Sequence, residues 1–169
     1  STGDSSEYDS QMYTWAAGIV ANHNYGKIEN CLNNGEIYSE SKSTAAYASG
    51  IASVNYALIF KSKNDADIKA ASQKYGVLAG GITAYNTRPD LFSYAIVDNS
   101  CVYGKIEITG GKTNYWSFAG GIAGENQALI KTSYSLAEYS VTEAGAERYF
   151  FGGIMGYAYN AYAQDNCYL

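Results

Sequence analysis

Few side chains in this chain of 169 residues have the types and spacing that catalysis or metal binding requires. The single histidine, His23, stands between Asn22 and Asn24, with no second histidine to share a metal ion. A catalytic triad around His23 would also need a nucleophile and an orienting acid, and the spacing identifies neither. We interpret His23 as a surface residue at a corner of the fold.

Carboxylates give no stronger signal. The segment 64–67, Asn-Asp-Ala-Asp, resembles part of a calcium loop but lacks the glycine and the distal glutamate of an EF-hand. Folding could bring Asp90, Asp98 and Glu125 together, and glycoside hydrolysis needs such a carboxylate pair at roughly 5–9 Å. However, no repeated position is acidic throughout. We predict that the protein is not an enzyme and uses no metal ion or cofactor.

Aromatic side chains are present in excess, with 18 Tyr, 2 Trp and 5 Phe making up 15% of the chain. Tyrosine combines an apolar ring with a polar tip, so it suits surfaces that have one wet side. Exposed rings could stack on the apolar faces of sugars while nearby Asn, Asp and Gln bind the hydroxyl groups. The candidate ligand-binding residues are Phe92, Tyr94, Tyr115, Trp116, Tyr157 and Tyr159.

A repeat must position these residues. A Gly-Gly-Ile tripeptide or a close variant recurs with its second residue at Gly18, Gly50, Gly81, Gly121 and Gly153, so the intervals are 32, 31, 40 and 32 residues. Such a period is the signature of stacked repeats, in which each copy buries its inner face against its neighbours.

Within each copy the apolar residues alternate with period two, which is typical of half-buried strands rather than helices. Three short strands per copy, separated by Asn, Gly and Asp corners, predict an all-β protein. We expect a right-handed parallel β-helix of about five rungs over residues 13–169. Residues 1–12 are polar, and we expect them to form a linker or cap.

The alternation also predicts which residues face the core. The isoleucines after the Gly-Gly step should form one buried column: Ile19, Ile51, Ile82, Ile122 and Ile154. The bulky residues three positions before that step should be buried as well: Trp15, Tyr47, Leu78, Phe118 and Phe150.

The three cysteines are not predicted to form a disulfide. In the register of the repeat, Cys31 and Cys167 share a column with Ser62, Ser100 and Ser133, four rungs apart. Four rung steps are roughly 19 Å, and a disulfide tolerates about 7 Å between Cα atoms. Cys101 lies about two rungs from each of the others, which is also too far.

One copy carries an insertion. The distance from Gly81 to Val97 is 16 residues, against 10 from Gly18 to Ile28, so six extra residues lie within 87–94. Insertions in repeats form loops on one face, which is often the binding face. The loop could equally serve only to cover an exposed edge of the core.

Charge and hydropathy exclude some partners. The net charge of −5 weighs against nucleic acid, whose phosphates need a clustered basic surface. The sequence contains no run of 18 apolar residues that could insert into a membrane.

Several segments of the repeat resemble the GLUG-type repeat of bacterial extracellular proteins. The resemblance rests on the segments 17–20, 28–32, 35–37, 119–124 and 166–168, and copy two departs from the pattern at Lys61-Ser62-Lys63. It implies a β-solenoid from a secreted or cell-surface bacterial protein. The tyrosine-rich chain also looks like the β-helical carbohydrate-binding modules attached to plant-polysaccharide enzymes, notably xylan-degrading ones.

Two functions follow as expectations. The first is a non-catalytic module that binds a plant cell-wall polysaccharide of the xylan type and is linked to a catalytic or surface domain. The second is a structural or adhesive segment of a surface protein. Exposed loop aromatics along one groove would favour the first, whereas aromatics packed inward would favour the second.

Overall fold

The computed structural model describes residues 2–3, 13–88, 95–110, 115–142 and 148–168. Across these ranges the chain forms 25 β-strands and no helix, so the described part contains no helix that could span a membrane. Thr2–Gly3 form a short strand, β1, which lies beside Glu40 and Ser41.

Five successive turns, or rungs, follow. The first comprises β2 (Thr14–Ala17), β3 (Val20–Asn24), β4 (Lys27–Glu29), β5 (Leu32–Asn33) and β6 (Ile37–Ser41). The second comprises β7 (Ala46–Ser49), β8 (Ala52–Asn55), β9 (Leu58–Phe60), β10 (Lys63–Asn64) and β11 (Ile68–Ser72). The third comprises β12 (Val77–Gly80), β13 (Thr83–Asn86), β14 (Ile96–Asp98), β15 (Cys101–Val102) and β16 (Ile106–Thr109). The fourth comprises β17 (Ser117–Gly120), β18 (Ala123–Asn126), β19 (Leu129–Lys131), β20 (Tyr134–Ser135) and β21 (Tyr139–Val141). The fifth comprises β22 (Tyr149–Gly152), β23 (Met155–Ala158), β24 (Tyr162–Gln164) and β25 (Cys167–Tyr168).

Strands at equivalent positions of successive rungs pair in parallel and form five sheets. Sheet I contains β2, β7, β12, β17 and β22, and sheet II contains β3, β8, β13, β18 and β23. Sheet III contains β4, β9, β14, β19 and β24, sheet IV contains β5, β10, β15, β20 and β25, and sheet V contains β1, β6, β11, β16 and β21. The prediction of an all-β parallel β-helix of about five rungs is confirmed.

The predicted number of strands per rung is wrong, because each complete rung has five strands rather than three. The strands of sheets III and IV are only two or three residues long. Such short segments give too few alternating positions to be recognised as strands in the sequence.

Close stacking explains the repeated glycine. A Cβ atom at Gly81 would lie 2.1 Å from the carbonyl oxygen of Gly121 in the next rung, and one at Gly50 would lie 2.3 Å from the carbonyl oxygen of Gly81. No side chain can occupy that space, so the tight turn between sheets I and II requires glycine in the first four rungs.

The isoleucine column is only partly as predicted. Ile51, Ile82 and Ile122 are fully buried in the main core, and Ile154 packs against it half-buried. The prediction is wrong for Ile19, which is 45% exposed. Ile19 belongs to the first rung, where it has a stacked neighbour on one side only, Ile51, whose carbonyl oxygen accepts a bond from its N–H.

The second burial prediction is confirmed for Leu78 and Phe118 and wrong for Phe150, which is 42% exposed, and the column lies outside the main core. Leu78 and Phe118 form a separate cluster with Ala84, and Tyr47 and Tyr157 pack against that cluster. The main core instead takes the neighbouring small residues, such as Ala48, Ala79 and Ala119. The turn between sheets I and II shifts the phase of the alternation, so Ile82 and Leu78 do not share a side.

Buried polar side chains form ladders of hydrogen bonds at the corners between the sheets. Asn24, Asn55, Asn86 and Asn126 stack in successive rungs, and each Nδ2 donates to the next Oδ1 at 2.8–2.9 Å. A second ladder runs along the corner before sheet IV, where backbone N–H groups donate to the Oγ atoms of Ser62, Ser100 and Ser133. Buried amides and hydroxyls are stable only when they are hydrogen-bonded in this way.

The corner between sheets III and IV repeats one strained backbone conformation. The residue there has a positive φ of 48–55° in every rung: Asn30, Lys61, Asn99, Thr132 and Asp165. Asparagine and aspartate tolerate this left-handed conformation best, whereas a β-branched threonine rarely adopts it. The stacking of rungs therefore overrides local preference at Thr132.

The cysteine register differs by one residue from the prediction. Cys31 lies in the column of Ser62, but Asn166 occupies the fifth position, where its Oδ1 accepts the N–H of Ser133. Cys167 pairs with Tyr134 and so shares the column of Cys101. Cys101 and Cys167 are two rung steps apart, about 10 Å, which still exceeds the reach of a disulfide.

Truncation of the isoleucine column should reveal the order of burial. We expect Ile82→Ala and Ile122→Ala each to lower the free energy of unfolding by about 2–5 kcal/mol, because both leave a cavity between complete rungs. Ile154→Ala should cost less, and Ile19→Ala least of all. Urea denaturation measures the order, and equal small costs at all four positions would contradict the column assignment.

The thiols should all be free. Mass spectrometry of the denatured, non-reduced protein after alkylation should find three modified cysteines in each chain. The separations between rungs are the reason, since no pair of cysteines lies in adjacent rungs. A bridge between Cys31 and Cys167 would show that the order of stacking is wrong.

Candidate ligand-binding face

The outer surfaces of sheets I and II form one aromatic face that extends over all five rungs. Its members from sheet I and the residues just before its strands are Tyr13, Trp15, Tyr47, Leu78, Trp116, Phe118 and Phe150. Its members from sheet II and the residues just after its strands are His23, Tyr25, Tyr56, Tyr85, Glu125, Gln127, Tyr157 and Tyr159. We call this set the aromatic face.

Side chains from the two sheets touch across the turn that joins them. In the first rung, the rings of Trp15 and His23 lie edge to face with centroids 4.8 Å apart. Near the other end, the rings of Phe118 and Tyr157 stack with centroids 4.9 Å apart. The two sheets therefore present a single continuous surface.

Many of these rings stack on one another along the solenoid axis. Tyr25 and Tyr56 are parallel within 4°, with centroids 5.0 Å apart, and Tyr13 stacks on Tyr47 at 5.1 Å. Tyr25 and Tyr56 occupy equivalent positions of adjacent rungs about 4.8 Å apart, whereas Tyr13 is a diagonal neighbour of Tyr47. Stacked rings present edges and hydroxyl groups to solvent, so this part of the face differs from the row of flat exposed rings that sugar stacking requires.

Trp116 is oriented differently. Its ring is nearly perpendicular to that of Phe118, at 86°, and the side chain is 45% exposed. The guanidinium of Arg148 lies 5.7 Å from the ring centroid, and the ring of Phe150 lies at 5.9 Å. Trp116 is therefore the broadest exposed ring of the face, held by an edge-to-face contact and a cation–π contact.

The aromatic face carries a polar group in its fourth rung. Glu125 follows Tyr85 in the register of sheet II and precedes Tyr157, and its carboxylate accepts a hydrogen bond from the side-chain amide of Gln127 at 2.8 Å. Burial raises the pKa of the Glu125 carboxyl, although the Gln127 bond opposes the shift. Burial, with the nearby Glu125 charge among the lesser causes, raises the pKa of the Tyr47 hydroxyl.

Ion pairs cluster on the other sheets. The five ion pairs between described residues are Lys27–Glu29, Lys63–Asp65, Lys69–Glu36, Lys105–Glu107 and Lys131–Asp98, with N–O distances of 2.5–3.5 Å. All of them lie on or beside sheets III, IV and V. Among the described residues, the aromatic face therefore carries no ion pair.

The structure brings only some of the predicted site residues together. Trp116 and Tyr157 both pack against Phe118, and Tyr159 lies at the end of the same face with 57% exposure. Tyr115 instead packs against Tyr75, with ring centroids 4.5 Å apart. Phe92 and Tyr94 lie outside the described residues.

The start of the insertion is anchored beside the face. The guanidinium of Arg88 donates to the carbonyl oxygen of Gln127 at 3.0 Å and to that of Asn160 at 2.8 Å. These two acceptors belong to the fourth and fifth rungs, so one side chain links three consecutive rungs where the extra residues begin.

Several members of the face were not predicted as site residues. The sequence predicts core positions for Trp15, Tyr47, Phe118 and Phe150. It predicts a surface corner for His23, which instead is half-buried in β3 and contacts Trp15 and Tyr56. The large volume of these side chains could have revealed their position. The interior of a rung that is lined by alanines has no room for a column of aromatic rings.

The other candidate groups have structural partners. Asn64 takes part in a side-chain ladder with Asn33, and Asp67 accepts the backbone N–H of Lys105. Asp98 lies in sheet III and pairs with Lys131, away from Glu125 in sheet II. Among the described residues, no three His, Cys, Asp or Glu side chains form a group that could hold a metal ion.

The chain matches no protein-family model, no curated protein and no solved structure.

Replacement of Glu125 by glutamine should stabilise the protein at neutral pH. The fold raises the pKa of this carboxyl above its ordinary value of 4.5, so the protonated form is favoured and that contribution is lost as the pH rises through the folded pKa. Glu125→Gln keeps the shape without the charge. The gain in melting temperature over the parent should be larger at pH 7 than at pH 4, and an equal gain at both would contradict the assignment.

Proposed function

We propose that the protein is a non-catalytic carbohydrate-binding module that takes a polysaccharide on the aromatic face. The observation that carries the proposal is the contiguous row of aromatic rings on a face that, among the described residues, carries no ion pair. Sheets I and II carry contiguous aromatic rings and one hydrogen-bonded carboxylate. The other sheets carry the five ion pairs of the described residues together with separate exposed tyrosines such as Tyr38 and Tyr162.

The chemistry of the face suits a sugar chain. Sugars have apolar faces lined by hydroxyl groups, so they need an aromatic ring beside hydrogen-bond acceptors and donors. Trp116 supplies an exposed ring, and Glu125 and Gln127 supply polar groups within the same fourth rung. Rungs repeat at about 4.8 Å, which is of the order of one sugar unit in an extended chain.

The resemblance to β-helical modules beside plant-polysaccharide enzymes points to xylan as the preferred ligand. It also points to a secreted or cell-surface bacterial protein in which this domain is linked to a catalytic or surface domain. The GLUG-type repeat supports the same setting. These parts of the proposal rest on the sequence.

The alternative is a structural or adhesive segment of a surface protein. The observation that favours it is the stacking of Tyr25 on Tyr56 and of Tyr13 on Tyr47, which uses ring faces within the protein itself. In that case the aromatic columns would serve to hold rungs together, and no glycan would bind.

Substitution of the exposed rings tests the proposal. Affinity electrophoresis against soluble plant and bacterial polysaccharides first identifies a retained glycan. We expect Trp116→Ala to weaken binding to that glycan by about 1 kcal/mol or more, because the broadest exposed ring is lost. Tyr94→Ala, in the inserted segment, should weaken it in the same direction.

The matched control is Tyr134→Ala. Tyr134 is a comparably exposed aromatic residue, at 37%, but it lies on sheet IV, so its removal should leave binding unchanged. Each variant is first checked for folding by circular dichroism. Undiminished binding by both Trp116→Ala and Tyr94→Ala would move the site to another face, and no binding by the parent to any glycan would favour the structural role.

A further inference from the structure

We propose that Glu125 forms a subsite for an uncharged sugar and excludes acidic sugars from the aromatic face. The inference rests on the proposed function and specifies the class of polysaccharide. The carboxylate lies on the aromatic face in the fourth rung, with Tyr85 beside it in the third rung and Tyr157 in the fifth.

Among the carboxylates of the described chain, only Glu125 and Glu40 are partly buried without a lysine or arginine partner, and Glu40 accepts a hydrogen bond from the hydroxyl of Tyr38 instead. Glu29, Glu36, Asp65, Asp98 and Glu107 each pair with a lysine. Glu125 is half-buried, and within the described ranges no Lys or Arg pairs with it.

A half-buried charge without a cation destabilises the fold, since burial penalises the ionised form. Proteins keep such costs mainly at sites of function. The surroundings agree, because Gln127 donates to Oε1 and so fixes the carboxylate. A carboxylate has about four acceptor sites, and one bond from Gln127 leaves others for a ligand.

The complementary ligand must donate hydrogen bonds and carry no negative charge. Hydroxyl groups of a neutral sugar meet both conditions, and charge-assisted bonds to a carboxylate are stronger than neutral ones. A uronic acid would bring a second carboxylate to a half-buried site, where like charges at close range repel strongly. The same carboxylate thus both binds the hydroxyls and selects against acidic units.

Two xylan derivatives of matched bulk test the inference. Carboxymethyl xylan carries added negative charges, whereas hydroxyethyl xylan with the same degree of substitution is neutral. Isothermal titration calorimetry is carried out at about 0.15 M salt, where charges beyond about 8 Å are screened. The parent should bind the neutral derivative at least about tenfold more tightly than the acidic one.

Glu125→Gln should reduce that preference to about threefold or less, because the local repulsion is gone. The control is Glu138→Gln, which removes the same charge from an exposed residue near sheet V and should leave the preference intact. An unchanged preference in Glu125→Gln, or equal affinity of the parent for both derivatives, would overturn the inference while the proposed function stands. No binding of the parent to either derivative or to unmodified xylan would overturn both.

Discussion

The structure depends on one constraint, which is that each rung must hydrogen-bond in register to the next. Backbone groups meet this constraint along the five sheets. At the corners the strands end, and buried asparagine and serine side chains take over the hydrogen bonds. Because a rung cannot bury its inner face alone, this continuity from one rung to the next is what makes a core possible.

In-register stacking also determines how side chains are arranged on the surface. It places residues of one column about 4.8 Å apart, so any column of aromatic residues becomes a ladder of rings. The turn at Gly81 and its equivalents then folds sheet II against sheet I, and their outer columns meet, as Phe118 and Tyr157 do. The aromatic face is therefore a product of the repeat rather than of a separate binding loop.

The repeat made the fold predictable, because the Gly-Gly-Ile period and the alternation each report a requirement of stacking. Strand number was missed because the strands of sheets III and IV are too short to show alternation. The alternation predicts the wrong side for the column of Trp15 and Tyr47, because a turn that shifts the phase of the alternation leaves no mark in the apolar pattern.

Residues of the candidate site were predictable only where the exposure of the side chain follows from its position in the repeat. Trp116 and Tyr159 were identified because they lie outside the regular strands or at their ends. The sequence marks Glu125 only as one of three carboxylates that folding could bring together, since its lack of a cation and its contact with Gln127 depend on which rungs are neighbours. No single-sequence pattern reports such contacts across 31 to 40 residues.

The side-chain amide dipoles of the asparagine ladder point in one direction along the solenoid axis. All three amide-to-amide bonds, from Asn24 through Asn55 and Asn86 to Asn126, donate the same way along the axis. Aligned amides polarise one another, so each bond strengthens its neighbours. Rotating the amide of Asn86 alone would place two donors together at one joint and two acceptors at the other. The four side chains therefore share a single orientation, and the two ends of the row are chemically distinct.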